Sequence, residues 1–205
     1  MSSPDFLKAC GTVGLWAALF TIPADVVSWL LAESYNPISQ TISALAVGRA
    51  SWLIDLGLWG FALACAATGA GMIALALPAK FWKVAAFAIM GAGAAVATVA
   101  VAKGYAGPQN AGANPHQWSL YALYVLFAVA AFGAASGLLG LGERVASYSR
   151  LIGWAWVVFA PAYYFWFPSG WAGAFERVLA LLMVVWLALV ARQLQQVGRL
   201  QAKAF

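Results

Sequence analysis

Val178-Leu-Ala-Leu-Leu-Met-Val-Val-Trp-Leu187 is the stretch that decides the fold, because it is apolar at every position. A strand of a membrane barrel turns one face to lipid and the other to a lumen, so its residues alternate with a period of two. A helix closes its backbone hydrogen bonds within itself and can be apolar on all sides in hydrocarbon. The stretch therefore reads as part of a lipid-embedded helix. The rest of the chain agrees: of 205 residues, 64% are hydrophobic and 8% are charged, too few to cover a molecule with hydrated surface. A helix needs about 20 residues to cross the hydrocarbon core. Six runs reach or approach that length, at 6–31, 52–76, 81–101, 117–140, 151–167 and 171–191. The expected fold class is an all-α membrane protein, a single domain over 1–205 built as a six-transmembrane-helix bundle.

The first run begins like a signal peptide, with Lys8 ahead of apolar residues, but it is too long for a signal core and contains Asp25. It reads as a retained first helix. Cys10 and Cys65 fall inside the first two runs, where a disulfide framework is not expected and no metal-ligand spacing exists. No cofactor or metal is expected: a single histidine, His116, does not make a usual zinc site.

If the loops alternate sides, Lys8, Lys80, Lys83, Arg144, Arg150, Arg192, Arg199 and Lys203 share one side, and Arg49, Lys103 and Arg177 the other. That asymmetry is expected to place both termini in the cytoplasm, in a multi-pass membrane protein. The net charge of +5 is then an orientation signal. Nucleic acid is not an expected partner, since no basic cluster with interleaved aromatics is present. The expected partner is membrane lipid; nothing specifies a protein partner. The basic end Arg192-Gln-Leu-Gln-Gln-Val-Gly-Arg199 reads as an amphipathic extension lying on anionic lipid.

On this orientation Asp25, Glu33, Asp55, Glu176, Arg177 and His116 gather toward the outer side, with the polar loops 33–51 and 103–117. In Tyr35-Asn-Pro-Ile-Ser-Gln-Thr-Ile-Ser-Ala-Leu45, Asn36 before Pro37 is a helix-start signature. It predicts a short interfacial helix over 37–46, with Ile38, Ile42 and Leu45 on its apolar face and Ser39 and Ser43 one turn apart. Asn114-Pro115 repeats the signature ahead of His116. Helix N-termini favour anions, so the outer face is expected to suit a phosphate or carboxylate head group. Asp25 lies six residues inside its run, and Glu176 and Arg177 at similar depth; charges there cost energy unless paired or wet, so they are expected to pair. Gly133-Ala-Ala-Ser-Gly137 reads as helix packing. Trp52, Trp82, Trp118, Trp166 and Trp171, near helix ends, read as an interfacial belt.

Three features occur together: Asn36-Pro37-x-Ser39-x-Thr41-Ile42-Ser43 after the first helix, His116 opening the fourth, and Glu176-Arg177 at the start of the sixth, ahead of Trp186. Over essentially the whole chain this order resembles the bacterial membrane family called domain of unknown function 998. The resemblance implies six helices, outer-face polar motifs and a place in the bacterial cytoplasmic (inner) membrane, and no established activity. Two departures are Ala44, where members often carry an acid, and Glu176, where they often carry glutamine.

Three functions are compatible with these residues. The first is binding of a lipid head group or small amphiphile in an outer-leaflet polar pocket lined by Asn36, Ser39, Ser43, His116, Glu176 and Arg177. The second is an intramembrane lipid hydrolase or transferase, with Ser39 or Ser43 as nucleophile, His116 as base and Asp25 or Asp55 orienting it. The absence of a Gly-x-Ser-x-Gly elbow counts against it. The third is a small transporter or accessory subunit; the two halves show no clear internal match, which a transporter would favour.

Overall fold

The computed structural model describes residues 3–46, 48–49, 51–102, 115–166 and 169–203. Among them are six long helices and no strand: α1 (Pro4–Leu31), α2 (Ser51–Leu75), α3 (Trp82–Val101), α4 (Pro115–Leu138), α5 (Glu143–Phe165) and α6 (Ala172–Lys203). Ser3 caps α1, accepting the Phe6 N–H at 3.2 Å, and Pro4 occupies a first-turn position where no N–H is needed. Five of the helices, α1, α2, α3, α4 and α6, are long and apolar enough to cross a membrane. Large apolar side chains such as Trp16, Phe87, Val125, Leu151 and Val185 face outward, as a hydrocarbon solvent allows and water does not.

Helix limits follow the apolar runs closely except in α5 and α6. The former begins at Glu143, eight residues before the run at 151–167, and the latter continues to Lys203. In both cases helix continues through charged residues that a search for apolar runs does not count. Each helix packs against its neighbours in sequence, and α6 closes back on α1 and α2. The start of α1 and the end of α6 lie together: a Cβ on Gly198 would meet the Pro4 carbonyl and the Lys8 N–H, and Gln195 Nε2 donates to Thr12 Oγ1 at 2.9 Å. The basic extension is thus docked on α1, with Leu194 and Gly198 buried. At the opposite end stand the first turns of α2, α4 and α6. Because α4 finishes at the end where α1 starts and α6 begins at the other, α5 runs the length of the molecule between them.

Polar atoms inside the core are tied across helices. Trp186 Nε1 donates to Ser149 Oγ at 2.8 Å, and Ser149 in turn donates to the Ala131 carbonyl at 2.7 Å, knitting α6, α5 and α4. Ser149→Ala is expected to leave the indole N–H buried without an acceptor, costing about 1–3 kcal/mol. Thermal unfolding in detergent checks this; Ser149→Ala combined with Trp186→Phe should cost less than the two changes summed, since the second removes the stranded donor. Trp82 corrects the belt reading: it is fully buried, its Nε1 donates to the Met72 carbonyl at 2.7 Å, and its ring occupies the space left by the missing side chain of Gly137. Trp52, Trp118, Trp166 and Trp171 are exposed near helix ends, as the belt requires. Pro161 in α5 has no N–H for the Val157 carbonyl, and the Tyr124 hydroxyl reaches that carbonyl at 3.5 Å.

Candidate functional site

The polar segment after α1 is folded by its own side chains. The Asn36 carboxamide oxygen accepts the Ile38 N–H at 2.9 Å, and Gln40 Oε1 accepts the Asn36 N–H at 2.6 Å. Gln40 N–H closes on the Asn36 carbonyl at 2.8 Å, making a turn over 37–40. A 3-10 helix, Ile42–Ala46, follows. The helix expected over 37–46 is therefore replaced by a turn and a 3-10 helix. Asn36 spends its cap on an Asx turn, and the carbonyls that would have continued a helix are drawn outward to α6. In consequence the expected apolar face is split: Leu45 is 2% exposed and Ile38 is 47% exposed. Ser39 and Ser43 belong to different local structures.

The partner drawing those carbonyls is Arg177, in the second turn of α6. Its Nε donates to Asp25 Oδ2 at 2.8 Å and its Nη2 to Asp25 Oδ1 at 3.0 Å, the two-pronged pairing that suits a guanidinium and a carboxylate. Nη2 also donates to Tyr35 Oη at 2.9 Å. Nη1 meets the carbonyls of Pro37 at 2.9 Å, Gln40 at 3.3 Å and Gly173 at 3.2 Å. Both charged side chains are largely buried, at 16% exposure for Arg177 and 17% for Asp25. Burial pushes the Tyr35 phenol above its ordinary range, against the lowering effect of Arg177. It stays protonated at neutral pH and can donate to the carbonyls of Gln40 and Thr41, both at 2.8 Å.

Glu176 does not pair with its neighbouring arginine; its Oε2 accepts the Ile42 N–H at 2.6 Å and so carries the start of the 3-10 helix. The Ala174 N–H of the first turn of α6 is taken by the Ile38 carbonyl at 2.9 Å. That docking depends on Gly173. A Cβ there would collide with the carbonyl oxygens of Gln40 and Pro37. The other expected cap, Asn114, and the loop residue Lys103 lie outside the described residues.

Beneath this cap is a cavity of about 590 Å³, within the usual range for small-molecule sites. All six helices contribute to its wall. Its polar end is formed by Asp25, Thr41, Ser43, His116, Glu176 and Arg177, and its depth by apolar residues such as Phe61, Val96, Leu123, Trp156 and Met183. Ser43 Oγ and His116 Nε2 are 3.4 Å apart. On the α5–α6 side, Phe175 meets Phe159 edge-on and stacks on Tyr163, each at 6.0 Å between centroids.

The structure brings together Asp25, Ser43, His116, Glu176 and Arg177 from the residues singled out in the sequence. Asn36, Ser39 and Asp55 do not line the cavity: Asn36 and Ser39 belong to the turn, and Asp55 stands in the second turn of α2. Sequence reasoning missed Tyr35, Thr41 and Gly173. A tyrosine directly before Asn36-Pro37 and a glycine four residues before Arg177 were the available signals.

The family described as "Protein of unknown function (DUF998)" matches residues 15–193. The chain belongs to the DUF998 family. The match runs from within α1 to the last third of α6 and takes in every residue of the cavity wall, from Thr21 to Val184. What DUF998 membership covers in this chain is therefore the capped cavity and the helices that build it. No curated protein and no solved structure matches the chain.

Proposed function

We propose that this DUF998 protein crosses the cytoplasmic membrane six times and binds a small amphiphile or lipid in a pocket of the outer leaflet. The observation that carries the reading is the form of the cavity: Asp25, Glu176, Arg177 and His116 at one end, mostly apolar residues through its depth, and a volume of about 590 Å³. A ligand matching both halves has a hydrogen-bonding head and a hydrocarbon body. The six-span part is supported by topology. Helix α5, with Glu143, Arg144 and Arg150 in its first turns, is not among the five helices apolar enough to cross a membrane by composition, yet it joins the end where α4 stops to the end where α6 starts. The excess of lysine and arginine at the end shared by the start of α1 and the end of α6 supports a cytoplasmic location for that end.

Mass spectrometry of lipids retained by the purified protein tests the proposal. A selected amphiphile is expected from the wild type and is expected to fall at least severalfold in Ala160→Phe, which fills the wall with a larger side chain while keeping helicity by circular dichroism. Equal recovery of bulk lipid from both proteins would sink the idea.

The 3.4 Å approach of Ser43 to His116 favours a second reading, an intramembrane lipid hydrolase or transferase with Ser43 as nucleophile and His116 as base. For that reading, an activity-based fluorophosphonate should label the wild type and fail to label Ser43→Ala.

A further inference from the structure

We infer that the pocket selects an amphiphile whose head is neutral or cationic and donates hydrogen bonds, a hydroxyl or an amine, and rejects phosphate and carboxylate heads. This rests on the amphiphile-binding reading and deepens it. The basis is how the polar end spends its donors. A guanidinium has five N–H groups in a fixed fork. Those of Arg177 are directed at Asp25, Tyr35 and the carbonyls of Pro37, Gln40 and Gly173, which leaves none for a ligand. Both Asp25 oxygens are held by the same guanidinium, so that pair contributes no net charge to the cavity.

Apart from the titratable His116, Arg177 is the only basic side chain lining the cavity among the described residues. An anionic head would therefore meet no available arginine or lysine among the described residues, and it would lie against the Glu176 carboxyl group. That carboxyl group has one oxygen on the Ile42 N–H, and its two oxygens can accept more than one hydrogen bond. Its spare acceptor capacity, together with the Ser43 and Thr41 hydroxyls on the same wall, suits a head that brings protons. The α6 N-terminus, an anion site in principle, is occupied by the Ile38 carbonyl.

The test uses the full chain in phosphatidylcholine nanodiscs, titrated with dodecylamine, monododecanoylglycerol and dodecyl phosphate and read by native mass spectrometry. The amine and the glyceride are expected to bind about tenfold or more tighter than the phosphate. In Glu176→Gln, which keeps an oxygen for the Ile42 N–H, the amine should weaken by about tenfold while the glyceride stays within about threefold. A purely structural role would weaken both alike and would overturn the inference. So would dodecyl phosphate binding as tightly as the other two, an outcome that leaves the amphiphile-binding reading standing. If none of the three probes binds the folded chain, the amphiphile-binding reading itself fails.

Discussion

Arg177→Ala is expected to be the most damaging single change in the molecule, lowering stability by about 3–5 kcal/mol. The cost does not come from losing an attraction alone. Asp25 would remain in α1, 17% exposed and about 9 Å of helix from its C-terminal end, with its charge uncompensated. The carbonyls of Pro37, Gln40 and Gly173 would lose their shared donor as well. Arg177→Lys should recover only part of the loss, because an ammonium cannot serve the two Asp25 oxygens and three carbonyls in one plane. Asp25→Asn in the Arg177→Ala background removes the stranded charge and should restore a measurable share of the stability. Thermal unfolding of the wild type, Arg177→Ala, Asp25→Asn and the double variant in one detergent gives the coupling between the two positions. Additive effects, or a loss below about 0.5 kcal/mol for Arg177→Ala, would show that the pair is not the clasp described here.

Gly173→Ala is the second large effect, and it acts through a single methyl group. The turn over 37–40 rests directly on the α6 backbone at this glycine, so the new Cβ and the carbonyl oxygens of Gln40 and Pro37 cannot occupy their present positions together. Either α6 or the turn must move, at a cost of about 1–3 kcal/mol for overpacking. The expected outcome is undocking of the turn, with loss of the Ala174–Ile38 hydrogen bond and an opened roof over the cavity. A reporter thiol introduced by Ser39→Cys measures it, since the native Cys10 and Cys65 are buried and contribute little background. Its labelling by a water-soluble maleimide should rise by about tenfold in the Gly173→Ala background, the change that follows from about 1.4 kcal/mol of local destabilisation. An unchanged labelling rate would mean that the turn is not held by this contact.

Both effects lie at the one end of the molecule where the sequence was easy to locate and hard to interpret. Asp25, Glu176 and Arg177 stand out in an apolar chain because charges in such surroundings need a reason. Their partners do not stand out. Arg177 sits beside Glu176 in sequence, yet it pairs with Asp25, and Glu176 turns to a backbone N–H. The expectation of a helix over 37–46 failed for a related reason. Asn36-Pro37 is a sound local start signal, but α6 offers the segment a better use for its carbonyls than a second helical turn would. Trp82 shows the same limit in the core: a tryptophan near a helix end is drawn inward by the hollow at Gly137 and the Met72 carbonyl.

The sequence by itself determined the solvent and the secondary structure. Long apolar runs with few charges leave helices as the way to satisfy the backbone, and that is a property of each run taken separately. It also determined that the polar chemistry collects at one end. Only the tertiary structure decided that Asp25 and Arg177, 152 residues apart, neutralise each other, that Ser43 and His116, 73 residues apart, share a wall, and that Asn36, Ser39 and Asp55 stand outside it. The physical reason is that periodicity and capping act within a turn or two of helix. Which donor meets which acceptor depends instead on how six packed helices bring their ends together.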